Sequence, residues 1–202
     1  MMAGLRELKK ERTRRRIAEV ALRLFDERGY DAVTVNEIAE AAGVAKVTLF
    51  NYFPAKDCLV LDGVADDTAA IVAGRQPGRS PLGALREHYR AVAAGDAGEI
   101  DVGQLLTQVR VIAATPALMA GVYQANMGRR YELAAALTPE TGEAVAPLLA
   151  GQITAALTTL QESFFQRLAS GTPLEEARRL LAADVELAFD LLENGMNHEK
   201  GH

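Results

Sequence analysis

One stretch of this 202-residue chain has the residue types and spacing of a catalytic metal centre: His198-Glu199-Lys200-Gly201-His202. In the H-E-x-x-H pattern, two histidines one helical turn apart bind zinc and the glutamate acts as base. That chemistry needs a rigid buried helix and a third ligand. Here the pattern contains Gly201, follows Asn194-Gly195 and stands at the end of the sequence, where helices fray. It therefore reads as coincidence. His88 has only Glu87 as an acidic neighbour, and Cys58 is a lone cysteine at the start of an expected helix, where a small buried residue is the plainer reading. No glycine-rich phosphate loop, nucleophile elbow or pair of acids appears. The expectation is a protein that is not an enzyme, with no catalytic residues, no metal site and no cofactor.

Recognition chemistry is better represented. Thr34 and Glu37, three apart, have the spacing of a capping box, in which the hydroxyl accepts from a helix N–H and the glutamate reaches back. Ile38, Ala39 and Ala42 then share one helical face, Gly43 supplies a left-handed turn, and Val44 and Leu49 repeat the apolar phase on a second short helix. Together these features read as a helix-turn-helix. Seven basic residues (Arg6, Lys9, Lys10, Arg12, Arg14, Arg15, Arg16) face only Glu7 and Glu11 within residues 1–16, whereas the whole chain carries a net −5. A basic end on an acidic body can turn one face toward nucleic acid. One cysteine excludes an internal disulfide and fits a reducing compartment. No apolar run reaches the ~18 residues that span a bilayer. Met1-Met2-Ala3-Gly4 leads into charges rather than a signal sequence. A cytoplasmic protein without membrane attachment is expected.

Residues 14–56 resemble the DNA-binding domain of TetR-family transcriptional repressors. The residues that carry the resemblance are IAEVALRLFDERGYDAVTV from Ile17, EIAEAAGV from Glu37 and TLFNYFPAKDCL from Thr48. The resemblance implies three small helices, near 13–28, 35–42 and 46–53, with Ile17, Ala21, Leu24 and Phe25 on the core side of the first. It maps Lys46, Val47, Thr48 and Phe50 to base-facing positions of a helix in the major groove. Asn51, Tyr52 and Lys56 map to phosphate contacts, Thr34 to a phosphate at its helix start, and Arg14 joins them from the basic first helix. Ala45 stands where a serine is usual and removes a helix cap. Val47 replaces a common glycine, and Phe50 replaces a usual tyrosine.

The rest of the chain reads as helices near 56–73, 81–94, 102–114, 116–137, 143–170 and 173–196. Ser80-Pro81, Thr115-Pro116 and Thr172-Pro173 pair an N-cap hydroxyl with a proline at the first helical position, and Thr172 with Glu175 suits a second capping box. The expected architecture is all-α with about nine helices: a DNA-binding domain over 1–55 and an effector-binding and dimerisation domain over 56–202. Stripes of Val145, Leu148, Leu149, Gln152, Ile153, Ala156, Leu160, Phe164 and Leu168, and of Leu174, Ala177, Leu181, Asp184, Ala188, Leu191 and Leu192, are wider than one packing neighbour needs. They are read as a homodimer seam, with coverage of the chain's own core as the competing reading. Tyr89, Gln108, Met119, Tyr123 and Asn126 are candidate ligand-binding residues for an unknown small-molecule effector, as the resemblance implies for the middle helices. The function expected is a repressor released from a palindromic double-stranded operator by that effector. Two alternatives stay open: an all-α enzyme with a DNA-binding head, and a DNA-binding protein that needs no effector.

Overall fold

The structure, a computed structural model, describes residues 2–61, 66–96 and 100–195, with side chains from Glu7 onward. The H-E-x-x-H pattern lies outside the described residues. Among the described residues there are ten helices and no strand. They are α1 (Met2–Arg28), α2 (Val35–Ala41), α3 (Lys46–Tyr52), α4 (Cys58–Leu61), α5 (Thr68–Ala73), α6 (Pro81–Ala94), α7 (Val102–Ala114), α8 (Pro116–Thr141), α9 (Ala146–Ala169) and α10 (Leu174–Asn194). No single helix among them is long and apolar enough to cross a membrane.

Three boundaries differ from the sequence reading, each for a local reason. The first helix starts eleven residues before the expected Thr13, because the Thr13 hydroxyl donates back to the Lys9 carbonyl (2.9 Å) instead of capping. Exposed pairs of Glu7 with Lys10 and Glu11 with Arg15 support the added turns. The single helix expected over 56–73 is two, because the Asp67 carboxylate accepts from the Ala70 N–H (2.8 Å) and starts α5 afresh. Thr172 does not cap α10. Its N–H closes α9 on the Arg167 carbonyl, and the Gly171 N–H, at φ 89°, closes on Leu168. Pro173 is then the N-cap, with no side-chain bond to the helix. Ser80 caps α6 as expected, accepting from the Gly83 N–H.

The chain forms two compact units. The first comprises Met1–Val64 and Gly103–Tyr123. Its core joins Ile17, Ala21 and Phe25 of α1 with Ile38 and Ala39 of α2, Leu49 of α3, Leu59 and Val60 of α4, and Val111 and Ile112 of α7. Gly121 of α8 lies so close to Leu61 that a Cβ there would stand 2.8 Å from Leu61 Cδ1. The Arg110 guanidinium of α7 donates two hydrogen bonds (2.9 Å each) to Asp26 of α1. The packed unit thus reaches beyond the 1–55 span read from the sequence, taking in α4, α7 and the start of α8.

The second unit comprises Ala65–Val102 and Gln124–His202. Here α10 packs on α6 and α9 around Leu85, Leu133, Ile153, Val185 and Phe189, all at most 1% exposed. Arg86 of α6 donates to Glu186 (2.5 Å) and Asp190 (2.7 Å) of α10, and Arg90 also bonds Glu186. The α10 stripe read from the sequence is correct only in part. The fully buried residues are Ala177, Val185 and Phe189, with Leu181, Ala188 and Leu192 partly buried against the same core, whereas Leu191 is exposed and Asp184 lines the α9–α10 groove. On α9 the expected stripe divides: Ile153, Leu160, Phe164 and Leu168 are buried, and Val145 and Leu148 are exposed.

Candidate nucleic-acid interface

The turn between α2 and α3 is built as its residues dictate. The Glu37 N–H donates to the Thr34 hydroxyl (3.3 Å), and the Thr34 N–H donates back to the Glu37 carboxylate (2.8 Å), so both halves of the capping box form. Arg28 also donates to Glu37 at 2.7 Å. The Thr34 N–H, then the Thr34 hydroxyl and Arg28, hold the Glu37 carboxyl down at about 2. Gly43 adopts φ 65°, which an L side chain resists, and Val44 N–H closes on the Ala39 carbonyl at 2.9 Å. Leu49, fully buried, pins α3 from beneath. Burying such a leucine is worth about 1.5–3 kcal/mol.

With Leu49 and Phe53 inward, α3 presents Lys46, Val47, Phe50 and Asn51 outward. Val47 is 73% and Phe50 40% exposed, an uncommon placement for large apolar side chains on a seven-residue helix. The Lys46 ammonium lies 5.9 Å from the Phe50 ring centre. Thr48 and Tyr52 are half-buried. Ala45 gives α3 no side-chain cap, as the sequence implied. This face combines a cation, a carboxamide and two apolar groups on a helix narrow enough for the ~12 Å major groove.

Two cations expected at phosphates are engaged within their own unit. Arg14 Nη1 donates to the Tyr52 carbonyl (2.9 Å) at the end of α3, and its guanidinium lies 4.7 Å from the Phe53 ring. Lys56 Nζ donates to the Tyr30 carbonyl (2.6 Å) and sits 4.2 Å over the Tyr30 ring. Burial lowers the Lys56 pKa, against the raising pull of Asp31 and Glu37. Arg14 therefore holds one end of α3, and Lys56 ties the segment after α3 to the loop after α1. Both roles escaped the sequence reading, because each joins residues 38 or 26 positions apart. No signal in the neighbouring sequence marks either pairing.

The five candidate ligand residues are divided between the two units. Gln108, Met119 and Tyr123 belong to the first unit, and Tyr89 and Asn126 to the second. Gln108 Nε2 donates to the Val60 carbonyl (2.5 Å). Met119 and Tyr123 are 49% and 67% exposed. Asn126 Oδ1 accepts from Arg129 at 3.0 Å. Tyr89 is mostly buried between His88 and Phe189, and burial followed by the Asp66 carboxylate raises its pKa. Among the described residues, no group of three His, Cys, Asp or Glu is placed to hold a metal ion. A groove of about 620 Å³ runs between α9 and α10, edged by Leu187 and Leu191 and crossed by the Arg167–Asp184 ion pair (2.6 Å).

The comparisons agree with this geometry. Residues 17–62 match the model described as bacterial regulatory proteins, tetR family. The chain is 34% identical over 124 residues to the HTH-type transcriptional regulator TcmR of Streptomyces glaucescens, across 58% of this chain and 55% of TcmR. It is 43% identical over 75 residues to the HTH-type transcriptional repressor KstR of Rhodococcus jostii, across 36% and 35%. The matched stretches thus span about half, or less, of these curated relatives. Thermus thermophilus FadR, a TetR family repressor solved with lauroyl-CoA, aligns with a TM-score of 0.50 at 26% identity, over 93% of this chain and 97% of that one. Pseudomonas aeruginosa NalD, a repressor of the MexAB-OprM multidrug efflux pump, shares the fold with a TM-score of 0.55 at 18% identity, over 88% and 96%. The helix-turn-helix residues and their built geometry thus agree with a tetR-family match over residues 17–62, and the helices as a whole share the fold of TetR-family repressor structures.

Proposed function

We propose that this chain is a homodimeric transcriptional repressor that grips a palindromic operator with two copies of α3 and is released by a small-molecule effector. The observation that carries the reading is the outward face of α3, where exposed Val47 and Phe50 stand between Lys46 and Asn51. Lys46 and Thr48 donate to base edges. Val47 and Phe50 pack on thymine methyls, the commonest apolar feature of the major groove. Asn51, Tyr52 and the start of α2 at Thr34 meet phosphates. Arg14 aims α3, and Lys56, with one donor on Tyr30, offers the rest of its ammonium to the backbone.

The second copy supports two half-sites one helical turn apart. The α9–α10 groove and the exposed Val145, Leu148, Leu187 and Leu191 suit a copy of the same pair of helices. The effector half of the reading rests on the family's named regulators and on the mixed apolar and polar chemistry of Tyr89, Gln108, Met119, Tyr123 and Asn126. Selection from random-sequence DNA tests the reading. The expected product is an inverted repeat, and a selected sequence with no two-fold symmetry would overturn the dimeric repressor. An effector, once found, must bind less tightly in the presence of operator, by the factor with which it weakens DNA binding.

A further inference from the structure

We propose that the first unit holds a second control site, a cleft for a small aromatic carboxylate, distinct from the reading face of α3. The cleft lies where α1, Phe53 after α3, α4 and α7 meet, and its volume is about 200 Å³. That is below the ~300 Å³ of a common ligand pocket, so it takes a single ring with one polar group. Its floor is apolar, from Phe53, Leu59 and Val60. Its polar wall is two guanidiniums, Arg14 and Arg15, against one carboxylate, Glu11, with Gln104 and Gln108 opposite. The balance of charge favours an anion.

Arg15 is the more available fork. Its partner Glu11 is 4.0 Å away, and both side chains are at least 60% exposed, so the pair is weak and yields to a bidentate carboxylate. Arg14 gives the site its consequence. The same guanidinium donates to the Tyr52 carbonyl at the end of α3, and Gln108 donates to the Val60 carbonyl of α4. A carboxylate that draws Arg14 competes with Tyr52, so occupancy shifts the end of α3. The binding half stands without the repressor reading; an effect on operator affinity rests on it.

The test is a titration of the full DNA-free chain with benzoate, and with benzamide as the neutral match, at fixed ionic strength, followed by backbone amide resonances. Expected are saturable benzoate shifts at Ala18, Tyr52, Phe53 and Gln108, with benzamide at least tenfold weaker. Ala18→Leu, which fills the cleft, should abolish them. Arg15→Gln, on the exposed rim, should weaken benzoate at least fivefold and leave benzamide unchanged, which keeps the test alive if Ala18→Leu fails to fold. Equal affinity for the two probes, shifts elsewhere, or full binding to a folded Ala18→Leu would overturn the site. Because no DNA is present, failure of the repressor reading leaves these results unmoved.

Discussion

Two pairs of cations, one in each compact unit, are held differently. In the first, Arg14 and Lys56 donate to main-chain carbonyls and lie over aromatic rings, so each fixes the path of the chain at one point. In the second, Arg86 and Arg90 share Glu186, with Asp190 and Glu193 beside it, so charge is balanced against charge across α6 and α10. A carbonyl is indifferent to a small change in ionic strength, whereas paired charges are screened by salt. A unit that must present one short helix in one orientation gains from the first arrangement. The second holds helices together without aiming any single side chain.

The sharpest way to break the comparison acts on the second unit and reads the first. Ala156→Glu or Ala188→Glu puts a carboxylate on the α9–α10 groove. Burying it without a partner is unfavourable enough to dissociate a dimer. The expected result is sedimentation near 21.7 kDa rather than twice that mass. Operator affinity should fall at least a hundredfold, with the helical content retained. A dimeric, DNA-binding Ala156→Glu would put the seam elsewhere.

Next in size is the reading face. Lys46→Ala and Thr48→Ala should each lose about 1–3 kcal/mol of discrimination at the base they contact, with the melting temperature little changed because neither is a buried core residue. Binding-site selection with each variant checks this. An unchanged consensus in both would remove α3 from base readout.

Lys56→Ala separates the two uses of one cation. Loss of the bond to Tyr30 should lower stability by about 1–2 kcal/mol, the range for a partly exposed charged hydrogen bond. If the ammonium also meets a phosphate, the salt dependence of operator binding becomes shallower by about one unit. That combined outcome is expected. A lower melting temperature with an unchanged slope would leave Lys56 as a clamp only.

What could be read from the sequence follows from how local each contact is. The capping box, Gly43 and the phase of Ile38, Ala39 and Leu49 fall within about a dozen residues, and each formed as read. Asp67 ahead of Thr68 was an equally local start signal that the reading passed over, and it divides the expected helix over 56–73. Arg14 was read by its charge and Lys56 by the resemblance, since nothing in the neighbouring residues names a carbonyl far along the chain. On α10, Phe189 is fully buried, whereas its neighbour Ala188 is only half-buried, touching the core and lining the α9–α10 groove. The apolar pattern fits either phase, and only packing on α6 and α9 decides which is core. The candidate ligand residues have no such local signal, because a pocket wall has no period and its members come from several helices.

The smallest expected effect tests the contrast in charge most directly. Glu37 and Glu186 are both held at about 2, below the usual 4.5, but by different donors. For Glu37 the leading causes are the Thr34 N–H and then its hydroxyl, neither of them charged, with the Arg28 guanidinium adding less. For Glu186 it is Arg90, with burial opposing and Arg86 adding to it. A carboxyl depressed in the folded state stabilises it above the unfolded value near 4.5. That contribution declines as pH falls from about 4.5 and is lost through about 2, so each glutamate favours folding fully above that window and not below it. Carboxyl carbon shifts recorded from pH 5 to 1.5 report each midpoint. Raising salt from about 0.02 to 0.5 M, where the Debye length falls below 5 Å, should move the Glu186 midpoint up more than that of Glu37. Glu37→Gln should flatten the acid dependence of the first unit at both salt levels, whereas Glu186→Gln should do so for the second mainly at low salt. Equal salt shifts at the two sites would mean that the two glutamates do not differ in the way their charge is held.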